Sequence, residues 1–70
     1  MKVLRKEICR TDPICELRYG DSSWDDLRKS IKYGWVTAAG SVARGGEFPV
    51  EALPQMIEFA IRCGYKFRFE

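Results

Sequence analysis

The side chains able to do chemistry here are three cysteines (Cys9, Cys15, Cys63), the hydroxyls of Ser22, Ser23, Ser30 and Ser41, and ten carboxylates, with no histidine in seventy residues. Histidine is the commonest general base and metal ligand. Without it the serines have no partner to take a proton, and the thiols have no imidazolium to lower their pKa. The cysteines are odd in number, lack Cys-x-x-Cys spacing and have no histidine to complete a zinc set. They read as free thiols in a reducing cytosol, with a Cys9–Cys15 bridge across a hairpin as the disfavoured alternative. Asp25 and Asp26 are adjacent and would face apart on a helix, so capping explains them better than a catalytic pair. Gly40 and Gly45 have the spacing of a phosphate-cradling loop, but Gly46 and Glu47 stand where that loop carries Lys and Ser or Thr. The expectation is a protein that is not an enzyme, with no catalytic residue, no cofactor and no metal.

What remains is surface chemistry. Lys2, Arg5, Lys6 and Arg10 give the first ten residues four cations against Glu7 alone. Arg28, Lys29 and Lys32 follow in a second cluster, and Arg44 stands between glycines and small residues. The candidate partner-binding residues are therefore Arg5, Lys6, Arg10, Arg28, Lys29, Lys32 and Arg44. The net charge of +2 is too small to announce nucleic acid by itself. Tyr65, Phe67 and Phe69 alternate with Lys66 and Arg68 in the manner of a stacking platform. A domain of this size, however, needs such rings for its core.

The elements that must position these residues follow from periodicity. Thr11-Asp12-Pro13 is a turn signal between two runs, and Cys15, Leu17 and Tyr19 alternate with Glu16 and Arg18, a strand with one apolar face. Asp21-Ser22-Ser23 reads as a helix start, with Trp24, Leu27 and Ile31 at helical spacing and Gly34 as the stop. Trp35 to Ala43 is small or β-branched and reads as a strand bent at Gly40, followed by an Arg44-Gly45-Gly46 loop. Pro54 opens a second helix that ends at Gly64, with Gln55, Glu58 and Arg62 as its only polar stripe, so it should be buried over most of its circumference. Tyr65–Glu70 closes the chain as an alternating strand. The expected fold is one α+β domain over 1–70, two-layered, of approximate order β-β-α-β-α-β, with two helices on one face of a mainly antiparallel sheet.

A basic helix followed by Gly34-Trp35 and Gly40-Ser41 is similar to HicA-type messenger-RNA-cleaving toxins. Those carry a histidine after the Gly-Ser pair. Here Val42 stands there, so the resemblance carries no activity over.

The leading functional expectation is a non-enzymatic module that binds another protein, such as an inhibitor or modulator of a host protein complex encoded by a phage or mobile element. The alternative is a small nucleic-acid-binding protein using Lys2, Arg5, Lys6, Arg10, Arg28, Lys29 and Lys32. A homodimer is expected in addition, because a 70-residue core without disulfide or metal is marginal alone. No apolar run follows the N-terminal cations and no stretch is long enough to span a bilayer, so the expected location is cytoplasmic, without a membrane partner.

Overall fold

The Thr11-Asp12-Pro13 turn follows from its residue types. The Ile14 N–H donates to Asp12 Oδ1 at 3.1 Å, the Cys15 N–H to the Asp12 carbonyl at 3.0 Å, and the Cys9 N–H to the Cys15 carbonyl at 3.0 Å. These bonds fold the chain into a hairpin of β1 (Lys2–Ile8) and β2 (Cys15–Asp21). In the computed structural model, which describes residues 1–68 apart from the Arg44 side chain, two more strands follow: β3 (Lys29–Val36) and β4 (Val42–Pro49). The four form one sheet in the order β1-β2-β3-β4, with every pair antiparallel. A 3₁₀ turn at Val50–Ala52 leads into one helix, α1 (Leu53–Arg62). The class is α+β: an antiparallel sheet with a C-terminal helix.

The expected first helix is not formed. The Ser and Asp residues that read as its cap instead close a tight loop: Leu27 N–H donates to Asp25 Oδ1 at 3.0 Å, Arg28 N–H to the Asp25 carbonyl at 3.0 Å, and Ser22 N–H to the Arg28 carbonyl at 2.9 Å. Such side chains satisfy turn amides as readily as helix-start amides. Trp24 and Leu27, two members of the expected apolar stripe, are 52% and 88% exposed. The residues after them alternate, Ile31, Tyr33 and Trp35 against Ser30, Lys32 and Gly34, and pair with β2 and β4 as a central strand.

Two further boundaries move. The expected strand from Trp35 to Ala43 is broken by a turn, where Thr37 N–H bonds the Ser41 carbonyl at 2.7 Å, the two side-chain hydroxyls pair at 2.9 Å, and Gly40 has φ +83°. Arg44-Gly45-Gly46, expected as a loop, lies inside β4. Tyr33 pairs with Gly46 and Trp35 with Ala43, so Arg44 and Gly45 together face Gly34 alone, which is a bulge. The last expected strand is not formed over Tyr65–Arg68, while Phe69 and Glu70 lie outside the described residues.

α1 forms where expected, with a proline at its start and Gly64 at φ +99° just past its end. It differs in burial. None of its residues is buried, it packs on the 3₁₀ turn, and its contact with the sheet is at most marginal. Among the described residues, the expected second layer over the sheet is thus not formed. The buried hydrophobic side chains among the described residues are Cys9, Cys15 and Val42.

The tightest interior is polar. Ser30 is fully buried, Ser22 is buried beside it, and their hydroxyls share a hydrogen bond. Glu47 Oε2 accepts the Ser23 N–H at 2.8 Å. Ser30→Ala strands the buried Ser22 hydroxyl, so it is expected to lower stability by about 1–3 kcal/mol. Urea unfolding checks this, and an unchanged midpoint contradicts it.

Candidate functional site

Strand register decides which side chains share a surface. Arg5 and Glu7 of β1, Leu17 and Tyr19 of β2, Ile31, Tyr33 and Trp35 of β3, and Phe48 of β4 stand opposite one another on one face. The other face carries Lys6, Glu16, Arg18, Ser30, Lys32, Val42 and Glu47. The first face is therefore aromatic and aliphatic with a charged border, and the second is mixed and polar.

The aromatic face is open. A hollow of about 360 Å³ is lined by Arg5, Glu7, Leu17, Tyr19 and Ile31 together with Lys6 and Arg18 from the strand edges, and a second of about 390 Å³ is lined by Glu7, Cys9, Arg10, Thr11, Leu17 and Tyr33. They share Glu7 and Leu17 and so form one trough. A third hollow lies by Trp35, Thr37 and Ala43. The Tyr33 and Trp35 rings meet edge to face, centroids 5.8 Å apart, and the Tyr33 hydroxyl donates to Cys15 Sγ at 3.8 Å. Tyr33 is thereby held as a fixed wall rather than a free rotor.

The two buried thiols, Cys9 beside the second hollow and Cys15 beneath Tyr33, are kept protonated. Burial pushes the Cys9 thiol up, and Asp12, Glu7 and Glu16 push it further. Burial also raises Cys15, against the lowering effect of the Tyr33 hydrogen bond. A neutral thiol is a weak nucleophile. The trough offers shape, rings and cations, with Glu7 at its middle.

The structure divides the cations expected to bind a partner. Lys29 Nζ is spent on Asp21 at 2.8 Å, and Arg28 lies 3.6 Å from Asp25 and 3.4 Å from Glu51. Lys6 and Lys32 stand on the polar face. The Arg44 side chain lies outside the described residues, although its backbone belongs to β4. Arg5, on the aromatic face, and Arg10, in the loop beside it, are exposed and have no carboxylate within salt-bridge distance among the described residues. The candidate basic residues are thus divided; three of them, Arg5, Lys6 and Arg10, border the trough. Sequence reasoning missed Tyr33 and Trp35 as a surface. Their alternation with Lys32 and Gly34 was the available signal, masked by the helix-like spacing before it.

Charge pairing sets a pH response. The Lys29 ammonium hydrogen-bonded to Asp21 holds that carboxyl below its ordinary value against the opposing effect of burial, and the same bond raises Lys29. Burial alone would raise Glu47, but hydrogen bonds from Ser23 and Ser30 outweigh it and leave the group lowered. A carboxylate lowered on folding contributes stability above its unfolded pKa, and that contribution is lost as pH falls through the folded value. Stability is therefore expected to hold from neutrality to about pH 5 and to fall from about pH 4 downward. A raised lysine loses its contribution only above about pH 10.4. Urea midpoints at successive pH values check the acid limb, which Asp21→Asn should flatten; a midpoint that rises on acidification contradicts it.

Comparison with protein-family models, with curated proteins and with solved structures finds no match to this chain. No helix among the described residues is long and apolar enough to cross a membrane.

Proposed function

We propose that the protein is a binding module, not an enzyme, and that single-stranded nucleic acid lies along the aromatic trough. One observation carries this reading: Tyr19, Tyr33 and Trp35 share an open sheet face with Arg5, and Arg10 borders it, both cations free of carboxylate partners among the described residues. Single strands are held by rings that stack on exposed bases and by cations that follow the phosphates. Unpaired bases offer the faces those rings need, which a closed duplex withholds. Three free thiols support a reducing compartment, the cytoplasm.

A protein partner on the same face is the second reading. The aliphatic share of that surface, Leu17 and Ile31 with Phe48, favours it.

Titration of a fluorescently labelled single-stranded oligonucleotide at 50 and 200 mM salt separates the two. For three phosphate contacts, from Arg5, Lys6 and Arg10, affinity is expected to fall roughly 20-fold between these conditions. Absence of binding at 50 mM salt contradicts the nucleic-acid reading and leaves the protein partner.

A further inference from the structure

We propose that Glu7 reads the bases of the bound strand and selects guanine through its Watson–Crick edge. The inference rests on the trough holding a single strand and names the base that it takes. Glu7 is exposed and lines both hollows, at the place where they join. Arg5, Lys6 and Arg10 line the same trough, yet Glu7 makes no hydrogen bond or ion pair among the described residues. Its charge adds to the upward push on the Cys9 thiol, which agrees with a carboxylate on the trough side of β1.

Register sets what stands beside it. Glu7 is opposite Leu17, and Leu17 is opposite Tyr33, so the three form one row across β1, β2 and β3. The ends of a row over three strands lie about 9.6 Å apart. Arg5, Tyr19 and Ile31 form the next row. A base packed over Leu17 therefore has the Tyr33 ring to one side and the Glu7 carboxylate to the other. A carboxylate repels phosphate, whereas a guanidinium binds it. The strand is thus oriented with its backbone on Arg5 and Arg10 and its base edges toward Glu7.

The chemistry of the carboxylate names the base. It only accepts hydrogen bonds, and its two oxygens ask for two donors side by side. Guanine presents that pair, N1–H and the N2 amino group, on its Watson–Crick edge. Adenine and cytosine each place one amino group beside a bare ring nitrogen, whose lone pair faces the second oxygen. Thymine and uracil hold a single N–H between two carbonyls. Unpaired bases leave these edges free, and hydrogen bonds to an ionised acceptor are the stronger kind.

Fluorescence anisotropy with labelled DNA strands tests the proposal: oligothymidylate alone, and the same strand carrying guanine, adenine or cytosine at spaced positions. The guanine strand is expected to bind roughly 5- to 150-fold more tightly than the others, the discrimination of one good bidentate contact. Hypoxanthine keeps N1–H but lacks the amino group, and its strand is expected to fall between those of guanine and adenine. Glu7→Gln exchanges an acceptor for a donor and is expected to abolish the guanine preference. Glu58→Gln removes the same charge from the exposed side of α1, away from the trough, and should keep it. Equal binding of all the strands overturns the inference and leaves the trough as a single-strand site. A guanine preference that survives Glu7→Gln, or is lost equally in Glu58→Gln, overturns it as well. No binding of any strand at about 50 mM salt overturns the reading of the trough and this inference with it.

Discussion

Replacing Trp35 with alanine is expected to weaken single-stranded oligonucleotide binding roughly 5- to 150-fold, the factor for losing one base–aromatic stack of about 1–3 kcal/mol. Trp35 stands near the end of β3, half-buried, beside the third hollow and in ring contact with Tyr33. Its removal takes away a stacking surface and frees an edge of Tyr33, while the backbone pairing with Cys15 and Ala43 is unchanged. Trp24→Ala is the matched control. That ring lies 52% exposed in the loop before β3, off the trough, and its loss should change affinity by less than about twofold. Fluorescence anisotropy with circular dichroism checks both variants; equal losses, or none for Trp35, contradict the assignment of the face.

Gly45→Ala is expected to be the most damaging single methyl in the chain. At the bulge, a Cβ on Gly45 would run into the Tyr33 carbonyl and crowd the Gly34 Cα, which are backbone atoms with no side-chain torsion to relieve them. Overpacking that forces backbone to move costs about 1–3 kcal/mol and occasionally more, and here the clash is entirely with backbone. Seventy residues at typical stability hold only about 3.5–10 kcal/mol. A substantial fall in the urea midpoint is therefore expected, with loss of the β3–β4 pairing. Gly46→Ala provides the contrast, since its Cβ would meet the Phe48 ring at an ordinary 3.7 Å. Gly46→Ala as harmful as Gly45→Ala would mean that the bulge is not where the two strands press together.

The hairpin and α1 were legible because their signals are local. Asp12 and Pro13 make a turn with their own neighbours, and Pro54, Gly64 and the stripe between them define a helix without help from elsewhere. Lys29–Val36 was not legible for the opposite reason. Ser22, Ser23 and Asp25 bond turn amides or helix amides equally well, and Trp24, Leu27 and Ile31 happen to match a helical period. What makes the segment a strand is pairing on both sides, Leu17 with Tyr33 and Ile31 with Phe48, at separations a local pattern does not register. The glycines at 45 and 46 misled in the same way, since the close approach that requires one of them is set by β3.

The candidate site was half legible. Arg5 and Arg10 were recognisable as cations, and Leu17 and Tyr19 as one apolar face. That Arg28 and Lys29 would be engaged by Asp25, Glu51 and Asp21 depends on contacts reaching as far as 23 residues along the chain. Tyr33 and Trp35 could join Tyr19 on a surface only once β3 had been placed beside β2.

The most direct measurement of the central claim is the fluorescence of Trp35 during titration with a single-stranded oligonucleotide. The chain has two tryptophans, so Trp24→Phe leaves Trp35 as the sole reporter. Stacking of a base on its ring predicts saturable quenching that follows the anisotropy binding curve and weakens with salt in parallel with it. Binding that leaves Trp35 emission unchanged, or no binding at 50 mM salt, would contradict a nucleic-acid site on this face.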